Sequence, residues 1–129
     1  MPLLPLFDAA RSRAAELPGT DRTFPFDGHN ADVEVWKVRG KMFAMLTRGV
    51  VTLKADPHEA EMLRATHDWI QPGWHMNKRH WISVGDGVFA EGTQYLHDLV
   101  TDSYLLVVAG LPRRRRPVDP ATFGRDEGG

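Results

Sequence analysis

Residues 33–54 read VEVWKVRGKMFAMLTRGVVTLK. Three apolar-rich runs, VEVWKV, KMFAMLT and VVTLK, are parted by Arg39-Gly40 and Arg48-Gly49. Short runs rich in β-branched and aromatic residues, joined by two-residue glycine turns, are the pattern of consecutive β-hairpins. If both turns hold two residues, the pairing follows. Val38 opposes Lys41, Trp36 opposes Phe43 and Val35 opposes Ala44, while Leu46, Met45 and Ala44 oppose Val51, Thr52 and Leu53. This register gathers Val33, Val35, Met42, Ala44, Leu46, Val51 and Leu53 on one face, with Lys37 its only charge, and predicts that face as core. Glu34, Trp36, Val38, Lys41, Phe43, Met45, Val50, Thr52 and Lys54 fall on the other. That second face is amphipathic and aromatic, so it is expected to be half-covered or to meet a partner. A bulge of one residue would undo the sorting.

The flanking chain supplies helices. Phe7, Ala10, Ala14 and Leu17 recur on one narrow stripe and predict a helix from about Leu6 to Leu17, stopped by Pro18-Gly19. FPFDGHNAD follows as a turn-rich loop, with Phe24 and Phe26 expected to anchor it to the core. Asp56 suits an N-cap, Pro57 a first helical position and Glu59 a capping box, predicting a helix to about Thr66 that buries Ala60 and Leu63. Arg79 to Val84 reads as a strand, with His80, Ile82 and Val84 on one side and Arg79, Trp81 and Ser83 on the other. Gly85-Asp86-Gly87 reads as a turn. Leu96, Leu99, Val100, Ser103 and Val107 line the stripe of a last helix from about Glu91 to Ala109, closed by Gly110 and Pro112. The expectation is an α+β fold, a mostly antiparallel sheet with helices packed on one face. Residues 1–117 form the single domain, and 118–129, rich in Pro and Gly, are expected to be disordered.

Composition narrows the function. At 129 residues the chain makes one domain with a single core. It has no cysteine, which excludes disulfides, thiolate metal sites and thiol nucleophiles. The start lacks the basic and long apolar segments of a signal peptide or membrane span, so no membrane role and a cytoplasmic location are expected. The net charge of −1 conceals segregation. Residues 32–54 hold five cations against two acids, 71–84 add Lys78 and Arg79 with no acid, and 113–116 are four arginines. Brought together by folding, these segments would make a positive face on a near-neutral protein.

Pro72 to Trp81, PGWHMNKRHW, is the second informative stretch. After the Pro-Gly turn it concentrates aromatic, cationic and amide side chains with no acid. One reading makes Trp74, Met76 and Trp81 core and Lys78 with Arg79 a solvated edge. The other makes the stretch a recognition element, in which flat side chains stack and cations reach phosphate. Trp36, Lys41 and Lys54 of the hairpins have the same character. The candidate nucleic-acid-binding residues are therefore Trp36, Lys41, Lys54, His75, Asn77, Lys78, Arg79 and Trp81.

LPG at 17–19, FPF at 24–26, KVRGKMFAML at 37–46, VTLKADP at 51–57, PGWHMNKRHW at 72–81 and LHDLVTDSYLLVVAGLP at 96–112 closely resemble the MmcQ/YjbR-like family of small bacterial proteins. The resemblance spans about nine-tenths of the chain. It implies a CyaY-like (frataxin-like) fold, and a DNA-binding role by analogy with a double-wing transcription-factor domain.

Other chemistries find little support in the residues. His75 and His80 are five apart, which puts them on opposite faces of a strand, and no HExxH or acid cluster completes a metal site. Ser12, Ser83 and Ser103 lie in no nucleophile motif, and Ser103 is expected to bond a backbone carbonyl one turn back. GDGVFAEG at 85–92 has neither the spacing nor the context of a dinucleotide loop. The sequence thus reads as a non-enzymatic DNA-binding protein without cofactor or metal. The alternative is a protein-interaction module or homodimer using the amphipathic sheet face.

Overall fold

A computed structural model describes residues 4–28, 31–73 and 76–124. In chain order its elements are α1 (Leu4–Glu16), β1 (Thr20–Thr23), β2 (Glu34–Val38), β3 (Lys41–Thr47), β4 (Val50–Lys54), α2 (Pro57–Thr66), β5 (Ile70–Pro72), β6 (Trp81–Val84) and α3 (Thr93–Ala109). Short 3-10 segments follow β6 at Asp86–Ala90 and α3 at Arg113–Arg115. The strands form one antiparallel sheet in the order β1-β2-β3-β4-β6-β5. The fold is α+β, with the three helices packed on the sheet.

Both hairpin turns have the expected two residues. Arg39 and Gly40 take φ of 50° and 80°, Arg48 and Gly49 of 54° and 77°. Positive φ at both central positions is the turn geometry whose twist matches that of paired strands. The second hairpin keeps the expected register, with Ala44, Met45 and Leu46 opposite Leu53, Thr52 and Val51.

The first hairpin departs from it. Val38 opposes Lys41 and Lys37 opposes Met42, but Trp36 opposes Ala44, so Phe43 has no residue across from it. This bulge reverses the facing of β2 relative to the rest of the sheet. Phe43 and Ala44 both enter the main core, and Phe43 meets the Tyr104 ring of α3 edge-on at 5.5 Å. Glu34, Trp36 and Val38 are therefore drawn into the covered side rather than an open one, and each is buried. Val33, Val35 and Met45, with Met42 against them, make a separate small cluster.

The main core is built from Leu6, Ala10, Ala14 and Leu17 of the first helical stretch, the expected stripe of α3, and Ala44, Leu46, Val51, Leu53, Ile82 and Val84 of the sheet. Leu6 supplies the first turn of the α1 stripe, with Phe7 only partly buried beside it. Asp56 caps α2 as expected, its Oδ2 accepting from the His58 and Glu59 amides. Ala60 is buried and Leu63 half-buried.

Two strands have no sequence signal of their own. β1, TDRT, carries no apolar alternation, and β5 is three residues ending in proline, a residue confined to sheet edges. Both are edge strands held by their single neighbour. Phe24 and Phe26, expected as anchors, are instead exposed, and the Arg22 guanidinium lies 5.7 Å from the Phe24 ring.

The C-terminal stretch expected to be disordered is in part packed. Val118 and Phe123 lie against the main core, with Phe123 6.2 Å from the Tyr104 ring. Arg116 turns back on α3, donating to the Leu111 and Ala109 carbonyls at 2.9 and 2.8 Å and so satisfying acceptors that a helix end leaves open.

Candidate nucleic-acid interface

Trp36 is a core residue. Its indole is 7% exposed, and its Nε1–H donates to Glu34 Oε2 at 2.8 Å. Glu34 is itself 1% exposed and accepts three bonds of 2.7 to 3.0 Å from Arg11 of α1. A buried carboxylate demands such partners, because an unpaired one costs several kcal/mol. Trp36 thus serves a helix-to-sheet ion pair and presents no face to a ligand. Phe43, Met45 and Thr52, expected on the same accessible face, are also buried. Thr52 is joined to Ser83 by a 2.8 Å hydroxyl bond.

The Pro72–Trp81 stretch is held at both ends. The Gly73 amide donates to the Trp81 carbonyl at 2.9 Å, and a Cβ on Gly73 would lie 2.5 Å from that of Trp81. Only glycine allows β5 to approach this closely. Asn77 organises the turn that follows: its carbonyl accepts from the His80 and Trp81 amides, and its Oδ1 accepts from Arg79 N. Arg64 of α2 donates to the Lys78 carbonyl. Asn77, Lys78 and Arg79 are exposed, and Arg79 lines a shallow recess with His58, Glu61 and Arg64. Trp74 and His75 lie outside the described residues.

Three of the expected residues do converge. Lys41, Lys54 and Trp81 line one cleft of about 380 Å³, with Met42, Met76 and Leu106, and the cleft reaches past the end of α3 to Leu111. Lys41 is exposed, whereas Lys54 and Trp81 are half-buried. Lys54 and Trp81 are paired across β4 and β6, so the ladder sets their separation. The Lys54 amide is further pinned by Ser103 Oγ at 2.8 Å.

The basic 113–116 segment reaches the same end of the molecule. Arg39, beside Lys41, donates from Nε to the Arg115 carbonyl at 3.1 Å, joining the first hairpin turn to the segment after α3. Gly19 permits the approach: at φ of 75°, a Cβ there would lie 3.1 Å from Pro117 and 3.5 Å from Arg39 Cζ. Neither contact had a sequence signal, since Arg39 and Arg115 are 76 residues apart.

A second cleft, of about 370 Å³, adjoins the first across Lys54 and Leu106. Its rim is acidic, with Asp56, Glu59 and Asp102, and its floor includes Ile82 and Leu99. Desolvation, followed by the charges of Glu59 and Asp98, pushes the Asp102 carboxyl up to about 6. Lys54 therefore marks a boundary between positive and negative surface. Among the described residues, no group of three or more His, Cys, Asp or Glu is placed to hold a metal ion, and no helix is long and apolar enough to cross a membrane.

The six-stranded antiparallel sheet with its helices, and the LPG and KVRGK segments at its turns, define a class of small α+β proteins with relatives of known structure. The YjbR family model matches residues 15–106, and the chain belongs to that family. It is 39% identical over 113 residues to the uncharacterized protein YbdF of Escherichia coli O157:H7, covering 84% of this chain and 89% of that one. YjbR of Escherichia coli K12, also uncharacterized, is 35% identical over 104 residues, covering 77% and 84%. The crystal structure of DR2400 from Deinococcus radiodurans superposes with a TM-score of 0.72 at 36% identity, covering 85% of this chain and 84% of that one. A Pseudomonas syringae protein gives 0.61 at 27% identity, covering 79% and 95%.

Proposed function

We propose that this YjbR-family protein is a non-enzymatic, cytoplasmic nucleic-acid-binding protein, DNA being the expected partner, and that it binds through the basic end of its sheet. The observation that carries the reading is the convergence of Lys41, Lys54 and Trp81 on one cleft, with Arg39 and the 113–115 turn beside it. Cations placed by strand ends and turns meet phosphates without the ordering cost of a flexible arm. A half-buried indole beside them offers the flat surface that a base needs. Lys78 and Arg79 stand on a separate, Asn77-organised turn and extend the positive surface rather than line the cleft.

The test is a binding titration against duplex DNA, single-stranded DNA and RNA at several salt concentrations. Affinity should fall steeply with salt, as expected when phosphates are neutralised. Lys41→Glu should flatten that slope by about one phosphate contact. Salt-independent binding, or none at low salt, would rule the reading out.

A further inference from the structure

We infer that the Lys41–Lys54–Trp81 cleft seats a single unpaired base, so that the protein prefers single-stranded over double-stranded nucleic acid. This rests on the nucleic-acid reading above and adds the strand class to it.

The cleft is recessed and mostly apolar. Met42, Met76 and Leu106 lie in it with the Trp81 indole, and the charges are the two lysines. A duplex presents phosphates and groove edges while its base faces stay stacked on one another, and it has nothing to place in an apolar recess. An unstacked base has two bare faces, and burying one against an aromatic and thioether surface recovers the stacking it lacks. Its neighbouring phosphates then fall beside the strand-end lysines. Lys41 opens β3 and Lys54 closes β4, so the antiparallel pairing brings both to the same end of the hairpin, away from its Arg48-Gly49 turn.

The adjoining acidic cleft limits the track. Beyond Lys54 and Leu106 the rim carries Asp56, Glu59 and Asp102, and among the described residues no ion pair joins Lys54 to them. A phosphate continuing past Lys54 meets negative charge. The contact is therefore short, one base with its flanking phosphates, and a strand is gripped at an end or a bulge rather than along its length.

The experiment measures fluorescence anisotropy of a labelled oligothymidylate and of the matching duplex at low and at physiological salt. The expected result is single-strand binding about tenfold tighter than duplex, the size of one base–aromatic stack. Trp81→Ala should remove that difference, while Trp81→Phe restores most of it. Glu59→Gln with Asp102→Asn should tighten single-strand binding by lifting the acidic stop. If Trp81→Ala does not fold, the wild-type protein still decides: oligothymidylate should quench its tryptophan fluorescence, and Trp81→Phe should lose that quenching. Equal or tighter duplex binding, or single-strand binding with no quenching, overturns the base slot alone. Failure to bind either nucleic acid overturns the slot and the proposed function together.

Discussion

The hydroxyl of Ser103 donates to the Phe43 carbonyl at 2.6 Å, and its oxygen accepts from the Lys54 amide at 2.8 Å. Phe43 is the residue that the β2–β3 bulge leaves without a partner, and it lies one step beyond the last β3–β4 pair, Ala44 with Leu53. A side chain of α3 thus completes the ladder between β3 and β4 where the strands part. Ser103 lies on the buried helical stripe expected from the sequence, but its partners belong to the sheet and not to the preceding helical turn.

Ser103→Ala should cost about 2 kcal/mol, because it strands a buried amide and a buried carbonyl together. Urea denaturation measures it, with exposed Ser12→Ala as the control, expected within about 0.5 kcal/mol of wild type. A cost at Ser103 no larger than the control would mean that water replaces the hydroxyl.

Arg11→Ala should destabilise the protein by about 3 kcal/mol, since it removes one partner of a buried ion pair and leaves the Glu34 carboxylate, among the described residues, with the Trp36 indole as its side-chain donor. Arg11→Lys should recover less than half of that loss, because an ammonium cannot form the two-pronged contact. Chemical denaturation of both variants checks this. Equal stability of Arg11→Lys and wild type would show that charge alone, without geometry, suffices.

Arg116→Ala removes two bonds to the end of α3 and should cost about 1 kcal/mol. Truncation after Arg116 keeps those bonds but strips Val118 and Phe123 from the core, and should lower stability by about 2 kcal/mol. A thermal melt of each variant decides. A truncated protein as stable as the full chain would show that the segment adds nothing to the fold.

Asp102 gives a pH dependence. Its folded value of about 6 lies above the ordinary 3.8, so the folded state holds the proton more tightly than the unfolded chain does. Ionising it therefore opposes folding: the penalty grows as pH rises from about 4 to 6 and is complete above that. Asp102→Asn should match wild type near the bottom of this window and exceed it at neutral pH. The gain should be under about 1 kcal/mol, because Asp102 is exposed as a residue and water screens its carboxyl. Denaturation midpoints of both proteins across that range test it, and a constant difference would assign the effect to packing.

The features legible in the sequence are those fixed by neighbours a few residues apart. Arg39-Gly40 and Arg48-Gly49 specify two-residue turns because the backbone must take positive φ there, and glycine does so without strain. Asp56-Pro57 marks the start of α2 because its cap is a contact across two and three residues. The α3 stripe follows from helical periodicity alone.

The bulge at Phe43 was decided by the tertiary structure. No glycine announces it, and it is held by Ser103 and Tyr104, both some sixty residues further along. By reversing β2 it moved Trp36 from an expected binding face into the core, where the Arg11–Glu34 pair supplies its acceptor. The same holds for the candidate site. Lys41, Lys54 and Trp81 are individually visible as cations and an aromatic, but their meeting in one cleft depends on β6 inserting between β4 and β5. Arg39 reaches Arg115 only once α3 has packed across the sheet. Periodicity and turn chemistry record local geometry, whereas strand order, bulges and the closure of distant segments follow from how whole faces bury one another.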